Sequence, residues 1–171
     1  MVEFKIDKDI VILSFFREDV SMNVIDMKFV DHFNKSFDEA LQAKPRGIIL
    51  TSRQNDFVVG GNLNEILNLT DQTTVLEHDQ RINSLFAKIE TSPIPVVCAM
   101  NGLTVGGGYE LAMACHRRIC LKDERIQIGL PEVTLGLLPG AGGVQRLGRM
   151  VGFKAALPLL LEGKKMRPDQ A

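Results

Sequence analysis

The sequence has almost no net charge, few cysteines and no long apolar run, and each shortage removes a class of function. Its 20 basic and 21 acidic residues leave a formal charge of −1 over 171 residues. The two signs are interspersed, which builds no basic surface for nucleic acid. No stretch approaches the roughly 20 consecutive apolar residues that span a bilayer. Met1 to Asp9 alternates charged and apolar residues instead of forming a signal peptide, so the expected location is the cytoplasm. The 3 cysteines, Cys98, Cys115 and Cys120, are odd in number and sit among apolar neighbours, which suits reduced core thiols rather than a disulfide framework. Cys115, His116 and Cys120 match no zinc spacing, so no metal is expected. His32 and His78 read as surface histidines. His116 lies six residues from Glu110, roughly 240° around a helix, and the two form no dyad. What remains, 45% hydrophobic and 24% charged, describes one globular domain with enough chain to bury a core.

The stretch from Asn101 to His116 stands out from this background. It reads as a turn, three adjacent glycines (Gly106, Gly107, Gly108) and a helix beginning near Gly108. Three glycines clear every side chain from one spot, so a ligand can approach the backbone. The unpaired N–H groups of the first helical turn then point toward the ligand from the positive end of the helix dipole, and an oxyanion fits there. Leu111 to Cys115 are apolar around the whole circumference, the pattern of a buried helix. Glu110 is thereby desolvated, which raises a carboxyl's pKa and suits it to acid–base work near neutral pH. The plainer reading, a helix-terminal Glu that only favours the dipole, stands beside it.

In chain order, Val2 to Ile6 and Ile10 to Phe16 read as two strands. Asp26 caps a helix through Met27, Val30, Phe33, Phe37 and Leu41, and Lys44-Pro45-Arg46 ends it. Gly47 to Thr51 is a short apolar run, typical of a parallel strand covered on both faces. Asp56 to Glu65 forms a second glycine loop around Gly60 and Gly61, with a tight connection as its plain alternative. Thr73 to Glu90 is amphipathic through Val75, Ile82, Leu85, Phe86 and Ile89, and Val96 to Met100 is the strand that feeds the central loop. Arg118 to Leu121 and Ile126 to Ile128 read as short strands. Glu132 follows Pro131 at a helix start and is a second candidate carboxylate. Leu137 to Arg146 is another glycine-rich approach to a helix; Arg146, Arg149 and Lys154 read as a solvated face, with anion contact as the alternative. Neither glycine cluster is a nucleotide loop, since one lacks the Lys and Ser or Thr of a P-loop and the other the third glycine of a dinucleotide fingerprint.

Taken together, Gly60-Gly61-Asn62-Leu63, Asn101-Gly102, Gly106 to Ala112, Gly129-Leu130-Pro131-Glu132 and Leu138 to Gly143 resemble the crotonase, or enoyl-CoA hydratase/isomerase, family from about Val11 to the last residue. Within it, Ala114-Cys115-His116 and Leu135 to Pro139 look most like the amino-terminal hydratase domain of multifunctional fatty-acid oxidation proteins. The resemblance implies an α/β fold, a spiral of repeated strand-strand-helix units, over residues 1–171. It implies reversible syn addition of water to trans-2-enoyl-CoA, giving 3-hydroxyacyl-CoA. It makes the backbone N–H groups of Gly61 and Gly107 the oxyanion hole, and Glu110 and Glu132 the catalytic pair, with Gly60, Asn62, Gly106, Pro131 and Gly140 around the substrate. A single acid–base at position 132 suffices for the related isomerases, so the second Glu favours a hydratase. The substrate is a coenzyme A thioester and the domain itself binds no cofactor. An NAD-dependent dehydrogenase domain, a thiolase subunit as partner, and a homo-oligomer or multienzyme complex belong to the same family pattern.

Three departures qualify the resemblance. Asn62 stands where the family usually has Asp. Pro158 falls inside the apparent helix Phe153 to Leu161, where a lost helical bond costs about 3 kcal/mol unless the helix is short or kinked. Pro168 reads as the first residue of a new helix, so the chain is expected to be a fragment that lacks the family's carboxy-terminal helices. A non-catalytic acyl-CoA-binding or assembly piece is the alternative to an active hydratase.

Overall fold

The computed structural model describes residues 1–18 and 20–171. Strand β1 (Val2–Asp7) turns back through Lys8 and Asp9 into β2 (Ile10–Phe15). Both turn residues have positive φ, 47° and 64°, as a two-residue hairpin requires. Helix α1 (Met27–Gln42) follows, then β3 (Gly47–Ser52), the short α2 (Leu63–Leu67) and the long α3 (Gln72–Glu90). Next come β4 (Val96–Met100), β5 (Thr104–Val105) and α4 (Gly107–Ala114). The chain continues through β6 (Arg117–Cys120), β7 (Ile128–Gly129) and a 3₁₀ turn (Glu132–Leu135). It finishes with α5 (Gly143–Val151), α6 (Phe153–Leu161) and β8 (Lys165–Met166).

These elements form two sheets. The larger has the order β1-β2-β3-β4-β6, parallel from β2 onward; the smaller has the order β5-β7-β8. From β4 onward each turn of the chain places one strand in the larger sheet and one in the smaller before a helix. Strand β3 is followed by Val58, which bridges to Thr104; β4 is followed by β5, and β6 by β7. This is the spiral of strand-strand-helix units that the family resemblance implies.

Packing between sheet and helices follows from side-chain periodicity. Val11, Leu13 and Phe15 face inward from β2 and are fully buried, as are Ile48 and Leu50 of β3. Alternation on a strand and 3.6-residue spacing on a helix bring Phe15 against Phe29, Phe33 and Phe57, with ring centroids 5.0, 4.9 and 5.8 Å away. Asp26 caps α1 by accepting the Phe29 N–H at 2.7 Å, and Arg17 donates to its other oxygen at 2.6 Å. Pro158 does lie inside α6, which spans only 9 residues and continues with the Glu162 N–H donating to the Pro158 carbonyl at 3.1 Å. At Pro168, residues 167–170 close a single turn, with the Gln170 N–H on the Arg167 carbonyl at 2.9 Å.

Candidate active site

The first component is the loop that follows β3. The Ile25 N–H donates to the Gly60 carbonyl at 2.8 Å, and the Asn62 N–H donates to the Ile25 carbonyl at 2.9 Å. This parallel bridge turns the intervening Gly61 N–H away from Ile25, and among the described residues it has no acceptor. Gly60 adopts φ 96°, a backbone state that a side chain would strain. Asn62 caps α2, its side-chain oxygen accepting from the Asn64 and Glu65 N–H groups. Asn is as good a helix cap as Asp, so the departure at position 62 leaves the loop anchored. Glu65 in turn accepts the Met27 N–H at 3.2 Å and ties the loop to α1.

The second component is the triple glycine, in which Gly106 and Gly108 are small for different reasons. Gly106 has φ 57°, and a Cβ there would stand 3.2 Å from Glu132 Oε1. A Cβ on Gly107 would stand 3.7 Å from the Gly61 nitrogen, which puts the two glycine loops side by side. A Cβ on Gly108 would overlap the Val58 carbonyl. The Tyr109 and Glu110 N–H groups both turn back onto the Gly106 carbonyl, at 2.8 and 3.0 Å. The Gly107 N–H has no acceptor among the described residues. Two free backbone donors, on Gly61 and Gly107, therefore adjoin one another at the start of α4.

The carboxylates complete the group. Glu110 is 3% exposed, and its Oε1 accepts the Ala141 and Gly143 N–H groups, each at 2.8 Å. Burial pushes its pKa from 4.5 up to about 7; the Gly143 N–H opposes this, and the nearby Glu132 charge adds to it. Glu132 begins the 3₁₀ turn after Pro131, and its Oε2 is buried with no hydrogen-bond partner among the described residues. Burial raises its pKa as well. Both side chains line one cavity of about 590 Å³, together with Gly60, Gly61, Asn62, Gly106, Gly107, Pro131 and Gly140. The structure thus gathers every site residue singled out in the sequence around a single space. Such a set can stabilise a developing oxyanion with its N–H groups while two acid–base groups work beside it.

Two sequence readings are corrected here. Arg146 is not on a solvated face: its side chain is 11% exposed, Nη1 donates to the Ala141 carbonyl at 2.7 Å, and Nη2 pairs with Glu90 at 2.8 Å. It braces the turn whose N–H groups hold Glu110. His78 is not a surface histidine either; it is 7% exposed and lines the cavity. Its position was legible, because it falls on the same helical stripe as Val75, Ile82 and Leu85. The hold on Glu110 by Ala141 and Gly143 was missed, and only the glycine-rich run Gly140 to Gly143 hinted at it. Cys98, Cys115 and Cys120 are all free, as expected, with the first two buried. No helix among the described residues is long and apolar enough to cross a membrane.

Comparison with known proteins agrees with this geometry. Residues 7–171 match the family model described as enoyl-CoA hydratase/isomerase. The fatty acid oxidation complex subunit alpha of Shewanella halifaxensis is 45% identical over 127 residues, 74% of this chain. The same subunit of Shewanella frigidimarina is 43% identical over 124 residues, 72% of the chain. The matched region is 18% of each of those proteins. Among solved structures, an enoyl-CoA hydratase from Thermoplasma volcanium superposes with a TM-score of 0.93 at 29% identity, over 99% of this chain and 67% of that one. One from Geobacillus kaustophilus gives 0.90 at 31% identity, over 98% and 63%. The chain belongs to the enoyl-CoA hydratase/isomerase family.

Proposed function

We propose that this chain carries the catalytic core of an enoyl-CoA hydratase, which adds water reversibly to a trans-2-enoyl-CoA to give a 3-hydroxyacyl-CoA in fatty acid β-oxidation. The thioester oxygen sits between the Gly61 and Gly107 N–H groups, where negative charge builds up as the double bond is attacked. Donors fixed in advance stabilise that charge only in the transition state, and one such donor is typically worth about 3 kcal/mol. Glu110, anchored through Oε1, holds and activates the water with its other oxygen. As the water oxygen bonds to the β-carbon, its proton passes to ionised Glu110, while protonated Glu132 gives its own proton to the α-carbon; the addition is syn, with both new bonds on one face. Gly60, Asn62, Gly106, Pro131 and Gly140 shape the walls around the thioester. These residues supply the acid, the base and the oxyanion donors, so the step draws on no cofactor.

The observation that carries this reading is the convergence of two buried carboxyl groups and two free backbone donors on one cavity. Hydration of crotonyl-CoA by the purified chain, followed as loss of the conjugated thioester absorbance, tests it. The family name favours one second reading, double-bond isomerisation with Glu132 shuttling a single proton. Turnover of a trans-3-enoyl-CoA that persists in Glu110→Gln would support that reading. Acyl-CoA binding with neither activity would mark a binding or assembly piece instead.

The name of the Shewanella relatives supports a multienzyme setting. In that setting the partner is a thiolase subunit, a dehydrogenase domain uses NAD, and the assembly works in the cytoplasm. Phe153 and Leu161 of α6 are 73% and 67% exposed, apolar positions that a homo-oligomeric contact would cover. Copurification and sedimentation test these points.

A further inference from the structure

The Gly140–Ala141 peptide unit is held at both ends. Its N–H donates to Glu110 Oε1 at 2.8 Å, and its carbonyl accepts from Asn83 Nδ2 of α3 at 3.0 Å. The unit is planar and trans, so its carbonyl and N–H point in opposite directions, and one rigid plane links α3 to the carboxyl group carried by α4. Turning that plane breaks both bonds together.

The two N–H groups on Glu110 are fixed in different ways. The Gly143 N–H belongs to the Gly142–Gly143 unit, whose carbonyl accepts the Arg146 N–H at 3.0 Å and is thereby part of the first turn of α5. The Ala141 N–H lies ahead of α5, where no helical bond holds it, and among the described residues the Gly140 carbonyl receives its hydrogen bond from Asn83. Asn83 suits this task because its own side chain is fixed. Its amide also donates to the Asp79 carbonyl, one turn back on α3, at 2.9 Å. Both partners are carbonyl oxygens, which only accept, so Nδ2 faces them and both of its hydrogens are used. A donor on the Gly140 carbonyl polarises the peptide unit and strengthens the bond that its N–H makes to an ionised Glu110.

We propose that Asn83 is a positioning residue for hydration, which fixes the Gly140–Ala141 peptide unit and, through it, the carboxyl group of Glu110. This rests on the hydratase reading above. Asn83 also borders the cavity, so its test separates turnover from binding. Asn83→Leu keeps the branched shape, brings no charge and removes the donor. Glu132 and Arg146, which face Glu110, and His78 and Asp79, which share the cavity from α3, all stay in place. Crotonyl-CoA hydration by Asn83→Leu is expected to lose about tenfold in kcat with KM within about twofold of wild type. The low-pH limb of its rate profile, where Glu110 takes up a proton, moves to higher pH. Asn83→Gln, which keeps a carboxamide donor, recovers part of the rate. Titration of the Glu110 carboxyl carbon by NMR, its signal identified by its loss in Glu110→Gln, reads the same upward shift without any turnover. An unshifted carboxyl titration in Asn83→Leu overturns the assignment whatever the activity. So does a raised KM at unchanged kcat, or a loss of rate with the pH profile unmoved. A wild-type chain that hydrates nothing refutes the hydratase reading and the role of Asn83 in hydration with it.

Discussion

The Gly143 N–H donates to Glu110 Oε1 at 2.8 Å, and the same glycine leaves no room for a side chain: a Cβ would stand 2.9 Å from Glu110 Cγ and 3.0 Å from Pro139 Cβ. Residue 143 is thus small because of the carboxylate it holds. Gly143→Ala should fold, since Ala suits the first turn of α5, yet it must push Glu110 off its anchor. Hydration should fall by at least about tenfold with little change in acyl-CoA affinity, a loss of transition-state stabilisation alone. Steady-state kinetics beside a binding titration measure the split.

Glu110→Gln should abolish hydration while thioester binding survives, because the amide oxygen can still accept both backbone N–H groups. It should also change how stability depends on pH. The Glu110 pKa is about 7 in the fold against 4.5 for an ordinary glutamate, so between those values the folded state binds the extra proton. Its contribution to stability is complete below pH 4.5 and is lost as pH rises through 7. Glutamine carries no such cost and should raise the melting temperature relative to wild type at pH 8 but not at pH 4.5. The free-energy difference at pH 8 has an upper bound of about 3 kcal/mol. Thermal melts at the two pH values check this.

At Gly107 the backbone donor and the side-chain space can be separated. A Cβ there meets the flexible end of Ile25 at 3.0 Å, so alanine should be accommodated with the N–H in place. Proline deletes the N–H, and the first helical position tolerates it. Gly107→Pro should therefore lose about a hundredfold more activity than Gly107→Ala. Equal activities in two folded variants would place the oxyanion elsewhere.

Arg146 acts on the site through the turn that it braces. Its positive charge also lowers the Glu110 pKa, so Arg146→Met should raise that pKa further and loosen the Ala141 carbonyl. Activity should drop, and the pH dependence of hydration should shift upward relative to wild type. The pH–rate profiles of the two proteins measure that shift; a uniform loss without one would mean that Arg146 serves packing alone.

How much of this was legible in the sequence depended on how far apart the interacting residues lie. The cap at Asp26, the stripe of α1 and the triple glycine before Glu110 are local, and spacing alone places them. Even the all-round apolarity of Leu111 to Cys115 translated into burial of Glu110 without any contact being known. The anchor of Glu110 joins it to residues 31 and 33 positions later, and no periodicity encodes that. Arg146 looked solvated because basic residues usually are, whereas its partner Glu90 ends a helix 56 residues earlier. His78 was passed over for the opposite reason: its residue type outweighed a stripe that already pointed inward.

The claim that two carboxyl groups and two backbone donors act together is tested most directly by hydrating crotonyl-CoA in heavy water labelled with oxygen-18. The account predicts a 3-hydroxybutyryl-CoA with labelled oxygen at the β-carbon and one deuterium at the α-carbon, both added to the same face. Neither label should appear with Glu110→Gln or Glu132→Gln, although both variants still bind the thioester. Product formed at wild-type rate by either variant, or labels on opposite faces, would contradict it.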